Sequence, residues 1–157
     1  ARYTGKTTCP ECGGSRLRKE ALYVRVGGKT IADLVAMPVD SLIAFFAGLE
    51  LDEHDTKTAS RILVEIRNRL QYLADVGLGY LTLDRLSSTL SGGESQRVKL
   101  ASFLTKDSAQ GGVMFIFDEP TTGLHFHDIS KLLAAFNALI QRGHTIVVVE
   151  HNMDIIK

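Results

Sequence analysis

The chain has 157 residues, 45% of them hydrophobic and 23% charged, with a formal net charge of zero. These values fit an ordinary soluble globular chain, long enough for one modest domain or pieces of two, and a neutral total sets up no global field that demands nucleic acid or membrane. No apolar run reaches the about 18 residues of a membrane span, no signal-peptide pattern is present, and Cys9 and Cys12 alone argue against a disulfide scaffold and for a cytoplasmic home.

Charge is unevenly spread. Residues 1–30 carry seven Lys/Arg against two Glu, and residues 31–60 carry one Lys against six Asp/Glu. The N-terminal stretch "CPECGGSRLRKEALYVRVGGK" is turn-rich and basic, with a short strand predicted over 22–26 before Gly27-Gly28. Thr30-Ile31-Ala32-Asp33 is a capping box that opens a short helix to Ala36. A second short helix runs over Val39 to Ala47, with Gly48 as its stop. "ELDEHDTKT" reads as an acidic loop. Residues 58–75 form the clearest helix, because Ile62, Leu63, Ile66, Leu70 and Leu73 fall in one stripe at 3.6 residues per turn. Gly77 and Gly79 end it.

"STLSGGESQRVKLAS" (88–102) places two glycines where a helix over 92–106 should begin. Ser91 and Glu94 form a second capping box. Gly92 and Gly93 leave the first-turn amides uncovered at the positive end of the helix dipole, where a phosphate can sit. After Gly111-Gly112 the pattern changes. "VMFIF" (113–117) and "TIVVV" (145–149) read as strands buried on both faces, joined by an amphipathic helix over 127–142 that Gly143 closes. Strand, helix and strand of this length make a right-handed βαβ crossover in a parallel sheet.

Ligands of an open parallel sheet bind beyond the strand carboxyl ends. The crossover therefore predicts that Asp118-Glu119 and Glu150-His151 share one edge. Asp118 suits Mg²⁺, Glu119 suits the orientation or deprotonation of water, and His151 suits contact with a transferring phosphoryl group.

These motifs carry a resemblance. "LSGGESQ" is similar to the signature motif of ABC-type ATPases, "VMFIFDEP" to their Walker B strand and "VVVEH" to their switch-histidine strand. Within that superfamily, "CPECGGSRL", "VGGKTIADL", "LADVGLGYLTLDRLSSTLSGGESQRVKLAS" and "DEPTTGLHF" resemble the UvrA family, the DNA-damage-recognition ATPases of bacterial nucleotide excision repair. "DEPTTGLHF" looks more like that family's second ATPase half, and the chain fits the main subunit or a UvrA-like paralogue. The resemblance runs from about Cys9 to Lys157 and implies an α/β fold: a partial ABC-ATPase core with a helical signature subdomain and an N-terminal half zinc module. The implied divisions are 1–29, 30–86 and 87–157.

It also implies residue roles. Ser91, Gly92 and Gly93 would meet the γ-phosphate of ATP held on a different domain across a head-to-tail interface, with Gln96 in support. Asp118 would serve Mg²⁺, Glu119 would be the general base, His151 would sense the γ-phosphate, and His125 would take the place of the D-loop Asp. Cys9 and Cys12 would supply two of four Zn²⁺ ligands, the partner pair lying upstream. The implied partners are damaged duplex DNA, a UvrB-like repair subunit and a second copy in a homodimer, with no membrane. Candidate DNA contacts are the basic segment 16–29 and Arg61, Arg67 and Arg69.

No G-x-x-x-x-G-K-[ST] loop occurs in the sequence. "TGKTT" at 4–8 lacks the upstream glycine and reads as an incidental loop. The chain thus looks like part of a longer ATPase, inactive by itself. The alternatives are an ABC ATPase of another class, such as a transporter motor, and a non-catalytic zinc and protein-interaction module.

Overall fold

A computed structural model describes residues 7–105 and 112–156. The expected end of a helix at Lys106, the break at Gly111 and residues 4–6 of "TGKTT" lie outside them.

Both predicted capping boxes form. Thr30 Oγ1 accepts the Asp33 amide at 3.2 Å, and the Asp33 carboxylate accepts the Thr30 amide at 2.9 Å, opening α1 (Ile31–Val35). α2 (Val39–Ala47) follows, its first amides bonded to the Leu81 and Gly79 carbonyls. α3 (Glu53–Asp75) is five residues longer at its start than its apolar stripe predicts. Asp52 Oδ1 accepts the Asp55 amide at 2.7 Å, so the acidic stretch is a capped first turn rather than a loop. Ile62 departs from the stripe and is exposed.

α3 ends in a Schellman motif. The Gly77 amide donates to Ala74 O and the Leu78 amide to Leu73 O, both at 3.0 Å, with Gly77 at φ +75°. That left-handed residue is close-fitted, since a Cβ there would come within 3.1 Å of Asp128 Cβ. α4 (Gly92–Leu104), β1 (Met114–Asp118), α5 (Phe126–Gln141), β2 (Thr145–Val149) and α6 (Met153–Ile156) complete the order.

The predicted strand over 22–26 is absent. Lys19–Leu22 is a 3₁₀ turn, and only Val26 and Lys29 pair, across left-handed Gly27 and Gly28. Two adjacent glycines at positive φ make a two-residue turn without requiring long flanking strands.

Two apolar clusters hold the chain. Leu34, Val39, Leu42, Phe46, Leu70 and Ala74 join α1 and α2 to one side of α3. The larger cluster gathers Val76, Leu78 and Leu81, the buried face of α4, Phe115 and Phe117 of β1, and Leu132, Phe136 and Leu139 of α5. β1 and β2 are parallel, with Met114 opposite Thr145 and Asp118 opposite Val149.

The expectation of strands buried on both faces is not met in this chain. β1 alternates, with Phe115 and Phe117 buried while Met114 and Ile116 are 63% and 64% exposed. Val147 and Val149 are exposed on the same face, because α5 covers only the other.

Candidate functional site

The in-register parallel pair brings both strand carboxyl ends to one edge. Asp118 closes β1 and is exposed. One residue on, the Glu119 amide donates to Val149 O at 2.9 Å, extending the ladder into the turn. Glu119 has φ +46°, a left-handed conformation that costs a non-glycine residue roughly 1–2 kcal/mol. Such conformations persist where surrounding contacts over-determine them, often at functional turns. His151 Nε2 lies 3.6 Å from Glu119 Oε1, and both side chains are open to solvent. The structure therefore brings Asp118, Glu119 and His151 together at the predicted edge.

The turn is pinned from β2 by Glu150. Its Oε1 accepts the Thr121 amide at 2.9 Å and also the Thr121 hydroxyl. Its Oε2 accepts the His151 amide at 2.9 Å and the Asn152 amide at 3.1 Å. Burial pushes the Glu150 carboxyl up, and the Thr121, Asn152 and His151 donors outweigh it, so the group is held below the usual carboxylate range. Both oxygens only accept, so Glu150→Gln must turn an NH₂ toward one set of donors. Glu150→Gln is expected to destabilise the fold by about 1–3 kcal/mol, read from urea or thermal melts.

On α4, Ser91 Oγ accepts the Glu94 amide at 3.2 Å, and Glu94 Oε2 accepts the Ser91 amide at 2.7 Å. Buried Glu94 also accepts the Tyr80 hydroxyl at 2.7 Å and pairs with Arg85 at 3.3 Å. Burial raises its carboxyl, and the Ser91 amide, the Tyr80 hydroxyl and Arg85 bring it below its ordinary value. Burial and then Glu94 push the Tyr80 phenol up.

Glu94 and Glu150 are both depressed in the folded state. Their contribution is full above the unfolded carboxyl pKa of about 4.3 and is lost as pH falls through the lower folded values. Melting points are expected to hold between neutral pH and the upper edge of the carboxylate range and to fall below it, less steeply in Glu150→Gln.

Gly92 and Gly93 differ. A Cβ on Gly92 would meet no atom within 4 Å, whereas one on Gly93 would lie 3.2 Å from Arg97 Nη1 and 3.6 Å from Thr122 O. Ser91 and Gly92 are exposed, and Gly93 adjoins the Glu119 turn, a Cβ there lying 3.8 Å from Glu119 O. Gln96 is half-buried, and its Oε1 lies out of solvent with no hydrogen-bond partner among the described residues. His125 is exposed at the N-cap of α5 and its side chain caps nothing.

Cys9 and Cys12 stand apart, in a surface hollow also lined by Arg16, Arg18 and Lys19. Both are free thiols. The Cys12 and Glu11 backbone donors hold Cys9 below its ordinary value. No group of three or more His, Cys, Asp or Glu side chains placed to hold a metal occurs among the described residues. Of the basic candidates, Arg67 donates to Phe46 O at 2.6 Å and Arg69 pairs with Glu65 at 2.8 Å, so both are engaged within the chain.

Arg97 and Tyr80 went unnoticed in the sequence. Arg97 is 1% exposed and donates to Pro120 O at 2.7 Å, tying α4 to the Glu119 turn. A signal existed: Arg97 occupies the same helical stripe as Leu100, Ala101 and Leu104, where a charged residue is out of place unless paired. Tyr80 had no such signal, since only the folded chain brings it over Glu94.

No family model matches the chain. UvrABC system protein A from Pseudomonas aeruginosa is 47% identical over all of the chain, which covers 16% of that protein. The proteins of the same name from Neisseria gonorrhoeae and Methanothermobacter thermautotrophicus are each 46% identical over 99% of the chain, again 16% of their length. The chain belongs to the UvrA family. Among solved structures, the crystal structure of UvrA2 from Deinococcus radiodurans matches with a TM-score of 0.72 and 41% identity, over 94% of this chain and 16% of that one. The mixed α/β arrangement with two parallel strands is therefore that of part of a UvrA-family structure. This UvrA-family chain spans about one sixth of the length of the relatives it matches, as 16% of each is covered. No described helix is long and apolar enough to cross a membrane.

Proposed function

We propose that this chain is a working part of a UvrA-type ATPase that couples ATP hydrolysis to inspection of duplex DNA for damage. The observation that carries the reading is the meeting of Glu119 and His151, 3.6 Å apart, beyond the ends of two parallel strands, beside a glycine-opened helix start. Residues 87–157 form part of an ABC-type core, 30–86 a helical signature subdomain and 1–29 half of a zinc module.

The exposed acidic pair at a strand end fits a hydrated divalent cation, and Asp118 would hold it. Mg²⁺ bound there would supply charge neutralisation at the phosphates. Glu119 takes the proton of the attacking water, its carboxylate lying 3.6 Å from His151 Nε2. His151 meets the phosphoryl oxygens. Ser91 and the bare amides at Gly92 and Gly93 receive the γ-phosphate of a nucleotide held by another domain, with Gln96 and His125 flanking that interface. Cys9 and Cys12 give two thiolates, short of the four that a structural zinc needs, so Zn²⁺ binding requires ligands from beyond this chain. DNA contact would run through phosphates and shape, because damage has no fixed base sequence. Arg61 and the basic segment 16–29 are the surfaces for it. A UvrB-like subunit and a second copy of the protein are the proposed protein partners, in the cytoplasm.

The test is Mg·ATP turnover by the full-length protein with and without duplex DNA carrying a bulky adduct. A turnover rate that changes with the DNA agrees with the reading. ATP turnover indifferent to every DNA, with no DNA binding at low salt, rejects it in favour of an ABC ATPase of another class.

A further inference from the structure

The turn at Glu119 is held at three points. The Glu119 amide bonds to Val149 O at 2.9 Å, the Thr121 amide to Glu150 at 2.9 Å, and Pro120 O accepts Arg97 Nη1 at 2.7 Å. Two of these anchors come from β2 and its end. The third comes from α4, the helix whose first turn carries Ser91, Gly92 and Gly93.

Arg97 is placed to feel both ends of that connection. Its Nη1 would lie 3.2 Å from a Cβ on Gly93, so the guanidinium packs under the bare second glycine. The same Nη1 bonds the carbonyl directly after Glu119. The guanidinium also acts on the Tyr80 hydroxyl, itself bonded to Glu94 of the cap. Its Nε has no hydrogen-bond partner among the described residues, so the buried charge rests on the Pro120 carbonyl and the Tyr80 hydroxyl. A methionine of similar length would fill the space and solvate nothing.

We propose that Arg97 is a positioning residue for hydrolysis, locking the Glu119 turn to the start of α4 so that the base and the phosphate-facing amides move as one unit. This rests on the proposed role of Glu119 as general base. A displacement of the α4 start, as when a phosphate docks on Gly92 and Gly93, then passes directly to the Glu119 carboxylate. A side chain that merely filled the core would leave the two uncoupled.

The experiment compares wild type, Arg97→Met, Arg97→Lys, Glu119→Asp and the double variant Arg97→Met with Glu119→Asp, all in the full-length protein. Readouts are kcat, KM for ATP and the melting midpoint. Arg97→Met should lower kcat about tenfold, a loss of about 1.4 kcal/mol of transition-state stabilisation, with KM within about twofold of wild type. Arg97→Lys, which keeps one donor for Pro120 O, should recover most of that loss. Because Arg97 acts through Glu119, adding Arg97→Met to Glu119→Asp should cost no more than about twofold further.

A folded Arg97→Met with wild-type kcat, or losses that multiply in the double variant, would overturn the proposal while leaving Glu119 as the base. If Arg97→Met does not fold, Arg97→Leu takes its place and is expected at reduced kcat with KM unchanged, wild-type kcat in it overturning the proposal. If Glu119→Asp turns over like wild type, the reading of Glu119 fails and the Arg97 proposal falls with it.

Discussion

Glu119→Gln in the full-length protein is expected to bind Mg·ATP with near wild-type affinity and to hydrolyse it about 10²–10⁴-fold more slowly, the usual contribution of a positioned general base. The amide is nearly isosteric and cannot take a proton. The anchors of the turn are the Glu119 amide, the Pro120 carbonyl and Thr121, none of which is the substituted group. Among the described residues, the carboxylate itself makes only exposed contacts, with His151 at 3.6 Å and with the Thr122 hydroxyl at 3.4 Å. Loss of fold therefore cannot account for loss of rate, and the melting midpoint should stay within a degree or two of wild type. Phosphate release paired with nucleotide titration separates the two parameters. Turnover within about twofold of wild type would remove Glu119 from the chemistry.

Gly92→Ala is the second large effect, and it sets stability against function. Gly92 has no positive φ and open space where a Cβ would go, so nothing in this fold requires glycine there. Alanine in the first turn should leave the helix as stable or raise it by up to about 0.5 kcal/mol. The methyl group would nevertheless stand in front of the first-turn amides that the proposed phosphate contact has to approach closely. ATP turnover is expected to fall about tenfold or more while the melting point holds or rises. Gly93→Ala is a poorer probe, since its methyl would also press on Arg97. Full activity in Gly92→Ala would make the open glycine an ordinary helix start.

The parts of the fold that local chemistry decides were legible in the sequence. Ser91 with Glu94 and Thr30 with Asp33 have the residue types and spacing of a capping box, and both boxes form. Gly143, like Gly77, sits just past an amphipathic stripe and closes its helix in the left-handed conformation. The edge holding Glu119 and His151 followed from the strand order alone, since a parallel pair must bring like ends together. Where tertiary context decides, the reading failed. The acidic run at 50–55 looks like loop by composition, yet Asp52 caps α3 and Glu53 and Asp55 favour its positive end. "LYVRV" has β-forming residues but pairs only at Val26, leaving Tyr23 and Val24 exposed. The apolar run of β1 did not disclose that α5 covers one face only. Glu150 was visible as a polar residue after a strand, but two of its four acceptor bonds exist only once Thr121 is folded beside it.

On the proposed reading this chain presents base, sensor and phosphate-facing helix, and other parts of the protein hold the nucleotide. The most direct test is calorimetric titration of Mg·ATP into the 157-residue chain, prepared in a form that melts cooperatively, beside the full-length protein. Saturable binding by the full-length protein and no saturable heat with the short chain is the predicted result. Tight, stoichiometric binding and hydrolysis by the short chain alone would contradict it, and would make "GKTT" or another local site a true phosphate cradle.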